Sequence, residues 1–175
     1  MIAADAAKAS VLLFLTVIVQ ISILSQVTIV HGRPQLLLVT VTCIALLRGA
    51  IFAAVAGFLV GFVADSGTFG MLGFTSLLLT LAGYWTGRYG ETTGRDRAHA
   101  PIVAVAVTTA LYQLGALLLH VVLGEPASGR DVLLVSLVPT IVLNLLLTYP
   151  VYALVRRLLP PLWLTHASRE VQLLG

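Results

Sequence analysis

The stretch GFLVGFVADSGTFGMLGF, Gly57 to Phe74, decides the fold because it sets glycines at helical spacing in front of a single carboxylate. Gly57, Gly61 and Asp65 recur at every fourth position of an otherwise apolar run. Small residues at this spacing share one face of a helix, and in a membrane that face lets a second backbone approach closely. An ionisable side chain is costly beside lipid, so Asp65 indicates a specific structural or functional contact.

The composition is that of an integral membrane protein. Of the 175 residues, 59% are hydrophobic and 10% are charged, whereas roughly 25% of the residues of a soluble domain are charged. The apolar segments leave no loop long enough to fold in water, so residues 1–175 are predicted to form one membrane domain. The single Cys43 excludes an internal disulfide. No basic patch with interleaved aromatic residues is present, which argues against nucleic-acid binding.

Six apolar segments predict an all-α fold of six transmembrane helices. They lie at about 9–30, 34–47, 49–64, 74–87, 101–123 and 132–159. A helix rises about 1.5 Å per residue and the hydrocarbon core is about 30 Å thick. The second, third and fourth segments are therefore short and need shielding by their neighbours. In an alternative interpretation the second and third segments form a re-entrant hairpin, which leaves four spans.

The positive charges predict the orientation. With six spans, two of the basic residues, Arg33 and Arg130, lie on one side and the other eight on the opposite side. Loops rich in Lys and Arg stay in the cytoplasm. Both termini are thus predicted to be cytoplasmic and the Arg33, Asp65 and Arg130 loops extracytoplasmic. The re-entrant alternative would move Arg48 towards the outer side.

Three amides fall inside the predicted spans: Gln20 in the first, Gln113 in the fifth and Asn144 in the sixth. Polar groups in hydrocarbon need partners. These amides either hydrogen-bond between helices or line a shared pocket for a ligand or lipid.

Small residues predict a close helix contact. They are Gly49, Ala53, Gly57 and Gly61. Because four residues exceed one helical turn, this stripe winds slowly around its helix, as a right-handed crossing requires. The helix that packs on it belongs either to this chain or to a partner protein.

Asp65 has two interpretations. In one, Asp65, Ser66 and Gly67 form a turn in which the carboxylate accepts backbone N–H groups. In the other, Asp65 pairs with Arg33 or Arg130, or orders the outer loop for a partner.

The sequence predicts no enzyme. It contains no HExxH, GxSxG or phosphate-binding loop, and its four histidines lack metal-ligand spacing. No second buried carboxylate is expected that could form an ion-coupling relay. No catalytic residue, metal ligand or cofactor-binding residue is therefore assigned.

The order of several motifs resembles the MreD family of rod-shape-determining membrane proteins. GRP precedes a short apolar segment, RG follows it, then GFLVGFVAD, a glycine eight residues after the Asp, and finally VLNLLLTYPVYALVRRL. The residues that match are Arg33, Pro34, Gly57, Gly61, Asp65, Gly73, Asn144, Pro150 and Arg156.

This resemblance implies a six-span protein of the bacterial inner membrane without catalytic activity or cofactor. It implies the fold of the substrate-binding subunits of energy-coupling-factor vitamin transporters. It also implies binding of MreC, a single-span protein, and action with RodA, a class B penicillin-binding protein and MreB filaments in cell shape and lateral peptidoglycan synthesis. The alternative function is a small-molecule (vitamin) binding subunit of such a transporter, which would need a roomy outer cavity with several polar groups.

Overall fold

The protein is a bundle of helices in the computed structural model, which describes residues 2–24, 32–68, 72–93, 100–122 and 136–159. The helices of these ranges are α1 (Ile2–Val19), continued by a π-helical turn (Gln20–Leu24), α2 (Leu36–Arg48), α3 (Ala50–Thr68), α4 (Phe74–Thr93), α5 (Ala100–Val122) and α6 (Leu137–Leu158). The prediction of an all-α membrane protein is confirmed.

Within the described residues, three helices are long and apolar enough to cross a membrane. Their apolar stretches are Ala50–Gly67 in α3, Ala100–Leu118 in α5 and Leu137–Leu158 in α6. Shorter apolar helices cover Ala7–Ser22 and Leu36–Arg48. The count of six spans stays a prediction.

Two helices are longer than the apolar segments from which they were predicted. α3 continues past Asp65 to Thr68, and α4 continues to Thr93. With 19 and 20 residues, each is about 30 Å long at 1.5 Å per residue. That length matches the hydrocarbon thickness of a bilayer. The polar ends of both helices were excluded from the sequence prediction because it followed apolar composition alone.

The short helix α2 lies at the centre of the bundle. Its 13 residues span only about 20 Å, and residues 37–47 are all buried. It packs against α1, α3, α4, α5 and α6. Its Thr42 Oγ1 lies 3.3 Å from Thr108 Oγ1 of α5, a hydrogen bond between two buried side chains. Because neighbouring helices enclose it, α2 is shielded from lipid along its length.

Gly49 joins α2 to α3 without a loop. Its φ of +89° and ψ of 178° belong to a region that only glycine occupies readily. Its N–H donates to the Ala45 carbonyl at 2.9 Å and so ends α2, and α3 begins at the next residue, Ala50. Gly49, predicted as a packing residue of the stripe, therefore also makes the chain reversal.

Candidate functional site

Helices α3 and α4 are in direct backbone contact along the stripe of small residues. A Cβ atom at Gly57 would lie 2.5 Å from the Leu79 carbonyl oxygen of α4. A Cβ atom at Gly61 would overlap the Cα of Ser76. Real Cβ atoms do not approach backbone this closely, so any larger residue at either position must displace α4. In the structure, α4 of the same chain covers the small face of α3.

Helix α4 provides glycines of its own to the same contact. They are Gly83 and Gly87 of the sequence GYWTG. A Cβ atom at Gly83 would lie 2.7 Å from the Ala53 carbonyl oxygen, and one at Gly87 would overlap the Cα of Ala50. The contact is thus antiparallel, with a GxxxG pattern on each helix. The sequence interpretation used the pattern of α3 and missed that of α4, although the spacing is the same.

Asp65 caps the N-terminus of α4. Its side chain is buried, and Oδ2 accepts hydrogen bonds from the backbone N–H groups of Gly73 at 2.9 Å, Thr75 at 3.1 Å and Ser76 at 3.3 Å. The first N–H groups of a helix have no partners within it, and a negative charge is favourable at this positive end of the helix dipole. The carboxylate does accept backbone N–H groups, but across the connection to α4. The predicted turn over Ser66 and Gly67 is instead the last part of α3.

Glu91 does the same for the N-terminus of α3. Its Oε1 accepts the Ala50 N–H at 2.9 Å, and its Oε2 lies 3.3 Å from Nη1 of Arg88. Each helix of the α3–α4 pair therefore carries the carboxylate that caps the other. The sequence interpretation did not identify Glu91, because it lies beyond Gly87, where the fourth apolar segment ends.

Gln20 holds the start of α2 from the side of α1. Its Oε1 accepts the Leu36 N–H at 2.7 Å, and its Nε2 donates to the Pro34 carbonyl at 3.2 Å. The residue that precedes α2, Gln35, makes no side-chain cap of its own. The first turn of α2 thus depends on a side chain from another helix.

Asn144 and Thr140 hold the same segment from the side of α6. Asn144 Oδ1 accepts the Gln35 N–H at 2.8 Å, and its Nδ2 donates to Thr109 Oγ1 of α5 at 3.1 Å. The Arg33 N–H donates to Thr140 Oγ1 at 3.3 Å. Asn144, Thr140 and Thr109 are all buried, so this polar cluster fastens α5 and α6 to the start of α2.

The predicted polar residues gather at one end of the bundle, where α2 and α4 begin, which we term the Arg33 end. Gln20, Asn144, Arg33 and Asp65 all lie there. The third amide, Gln113, is half-buried on α5. Within the described part of the chain no hydrogen bond joins it to Gln20 or Asn144. Arg130, the other proposed partner of Asp65, lies outside the described residues.

Two cavities adjoin these elements. A groove of about 750 Å³ between α1 and α3 has a mainly apolar lining, with Ser10, Arg48 and Glu91 as its polar residues. A second cavity of about 310 Å³ lies at the Arg33 end, and Gln20, Arg33, Gln35, Thr75 and Tyr112 are its polar lining residues. In the described ranges no group of three or more His, Cys, Asp or Glu side chains is placed to hold a metal ion.

Comparison with protein families identifies the chain. No curated protein and no solved structure is significantly similar to it. The model of the family described as rod shape-determining protein MreD matches residues 7–161. That match covers both the α3–α4 pair and the polar cluster of the Arg33 end. The chain therefore belongs to the MreD family of rod shape-determining membrane proteins.

Proposed function

We propose that this protein is a non-enzymatic scaffold of the bacterial cell-elongation complex. In this proposal it crosses the inner membrane six times with both termini in the cytoplasm and binds an MreC-like single-span protein. Through that partner it acts with RodA, a class B penicillin-binding protein and MreB in lateral peptidoglycan synthesis. The family match over residues 7–161 is the observation that carries the proposal.

The use of the carboxylates supports a structural role. Asp65 and Glu91 both bind backbone N–H groups at helix N-termini. The oxygens of these carboxylates are therefore used for capping within the protein. These contacts fix the relative position of α3 and α4, which is what a scaffold requires of its spans.

The scaffold also has surface left for a partner. The α3–α4 contact uses the small face of α3, whereas Ile51, Val55, Leu59 and Val63 of the same helix line the groove with α1. We propose that a partner span binds on such an outward face and not on the stripe of small residues.

The test is co-purification in mild detergent from the bacterium that carries the gene. We expect the tagged chain to recover an MreC-like single-span protein, and depletion of the chain to turn rods into rounded cells. An unrelated multi-span protein with the same tag is the control. Recovery of transporter ATPases in place of a single-span protein, with normal cell shape after depletion, would support the vitamin-transporter alternative and contradict the scaffold.

A further inference from the structure

The cavity at the Arg33 end has the size and lining of a small-ligand site. Its volume of about 310 Å³ lies at the lower limit of ligand pockets, which measure about 300–1,000 Å³. One part of its wall is apolar, with Leu37, Leu38 and Leu79, and the remainder carries polar side chains. It therefore differs from the larger groove between α1 and α3, whose lining is mainly apolar.

The backbone beside this cavity is held with little freedom. The N–H groups of Arg33, Gln35 and Leu36 are each accepted by a side chain from another helix. The Pro34 carbonyl is also held, by the Gln20 amide. Four consecutive residues are thus fixed by α1 and α6, which positions the side chains of Arg33 and Gln35 before any ligand binds. Such preorganisation lowers the entropic cost of binding.

Two polar groups in the cavity wall are left for a ligand. Gln35 Oε1 is buried and accepts no hydrogen bond from the described residues, and a buried acceptor without a donor is unfavourable. Arg33 is an exposed residue of the cavity wall, and its guanidinium forms no ion pair in the part of the chain that the structure describes. By contrast, both ends of the Gln20 amide are already hydrogen-bonded to backbone groups.

The chemistry of these groups defines the ligand. Arg33 offers a planar, permanently charged fork that suits a phosphate. The N-terminus of α2, which is capped only by the neutral side chains of Gln20 and Asn144, adds positive potential. Gln35 Oε1 requires a hydroxyl or ammonium donor. We propose that this cavity binds a phosphate ester with a neighbouring hydroxyl or ammonium group, its phosphate on Arg33 and its donor on Gln35. The site is independent of the partner binding proposed above.

Native mass spectrometry of the full chain in mild detergent, titrated with single lipids, tests the site. We expect phosphatidylglycerol and phosphatidylethanolamine to bind about tenfold more tightly than phosphatidylcholine, a difference of about 1.4 kcal/mol. All three carry the phosphate, but phosphatidylcholine has no donor for Gln35. Glycerol 3-phosphate has the same phosphate and hydroxyl groups without acyl chains, so it distinguishes a ligand from solution from a lipid of the bilayer. Displacement of lipid by it would assign the ligand to solution, and its failure to do so would assign it to the bilayer.

Variants identify the contacts. Arg33→Gln should weaken phosphatidylglycerol binding about tenfold or more, because a charge-assisted hydrogen bond is lost, and Arg33→Lys should retain most of the affinity. Gln35→Leu should abolish the preference for phosphatidylethanolamine over phosphatidylcholine. The matched control is Arg156→Gln, an exposed arginine near the opposite end of the bundle, which should bind as wild type. Equal binding of all three lipids by the wild type, or wild-type affinity in Arg33→Gln, would overturn the proposal.

Discussion

Replacing Gly61 by alanine tests the α3–α4 contact with the smallest possible addition. The new Cβ would overlap the Cα of Ser76 and lie 2.9 Å from the carbonyl carbon of Thr75. Carbon atoms in ordinary contact are about 3.5–4.0 Å apart. Both of these atoms are backbone and cannot rotate away. Helix α4 must therefore move outward by roughly 1 Å at this point to restore ordinary contact.

The cost of that movement can be estimated from the contacts. Overpacking of a filled core costs about 1–3 kcal/mol. The Asp65 cap lies one turn further along α3, and its hydrogen bonds of 2.9–3.3 Å would stretch beyond hydrogen-bonding distance. Each such bond contributes about 1 kcal/mol to the free energy of unfolding. Replacing a glycine inside a helix adds up to about 1 kcal/mol to that free energy and partly offsets the loss. We expect a net loss of about 2 kcal/mol or more, a fall in Tm of roughly 4–8 °C.

The assay is thermal unfolding of purified protein in mild detergent, followed by tryptophan fluorescence and by loss of the monodisperse chromatographic peak. Gly115→Ala is the matched control, since its Cβ would meet only the terminal Cδ2 of Leu78 at 2.6 Å, and that methyl can rotate. Because Gly115 also lies inside a helix, the same gain from replacing glycine applies, and we expect Gly115→Ala to keep or slightly raise the wild-type Tm. If Gly61→Ala melts together with wild type and Gly115→Ala, the backbone contact does not stabilise the fold and the reasoning fails.

Three further predictions concern the Asp65 cap, the backbone at Gly73 and the membrane topology. Asp65→Leu should strongly lower the amount of protein in the membrane, because each N–H left without an acceptor at the start of α4 costs about 1–3 kcal/mol. Asp65→Asn should lower it only slightly, because the amide oxygen still accepts these N–H groups. An equal loss of protein in both variants would show that the charge itself is required. Gly73 has a φ of +92°, and a Cβ atom added there would meet no atom within 4 Å. Gly73→Ala should therefore reduce stability by about 1–2 kcal/mol through the backbone alone, and Gly73→Asn by less. Equal falls in Tm for the two variants would exclude a backbone cause. A topology reporter inserted at Ser128 should read extracytoplasmic and one fused after Gly175 cytoplasmic; a cytoplasmic signal at Ser128 would refute the six-span map.

The sequence was sufficient for the helical class and for the small face of α3, because both depend on periodic composition. It was not sufficient for the partner of that face. The pattern of Gly83 and Gly87 lies in a helix that carries Arg88 and Glu91, and an interpretation based on apolar runs gives little weight to such a segment.

The hydrogen-bond partners of the polar side chains were also beyond sequence reasoning. Asp65 and Gln20 bind backbone N–H groups. Every residue except proline has such a group, so the residue types in the sequence do not reveal which positions are the partners. Asn144 meets Gln35 across 109 positions of sequence. Only the arrangement of the helices brings such groups together.

The relation between helix packing and partner binding is tested most directly by Gly61→Leu. Membrane abundance is measured by quantitative blotting, and the recovery of the MreC-like partner is expressed per molecule of inserted protein. Val107→Leu, an exposed position on α5 outside the groove between α1 and α3, is the control. Because α4 of the same chain occupies the stripe, we expect Gly61→Leu to lower the amount of inserted protein and to leave partner recovery per molecule unchanged. Wild-type abundance with loss of the partner would instead mean that the stripe binds another protein, and would contradict the internal contact.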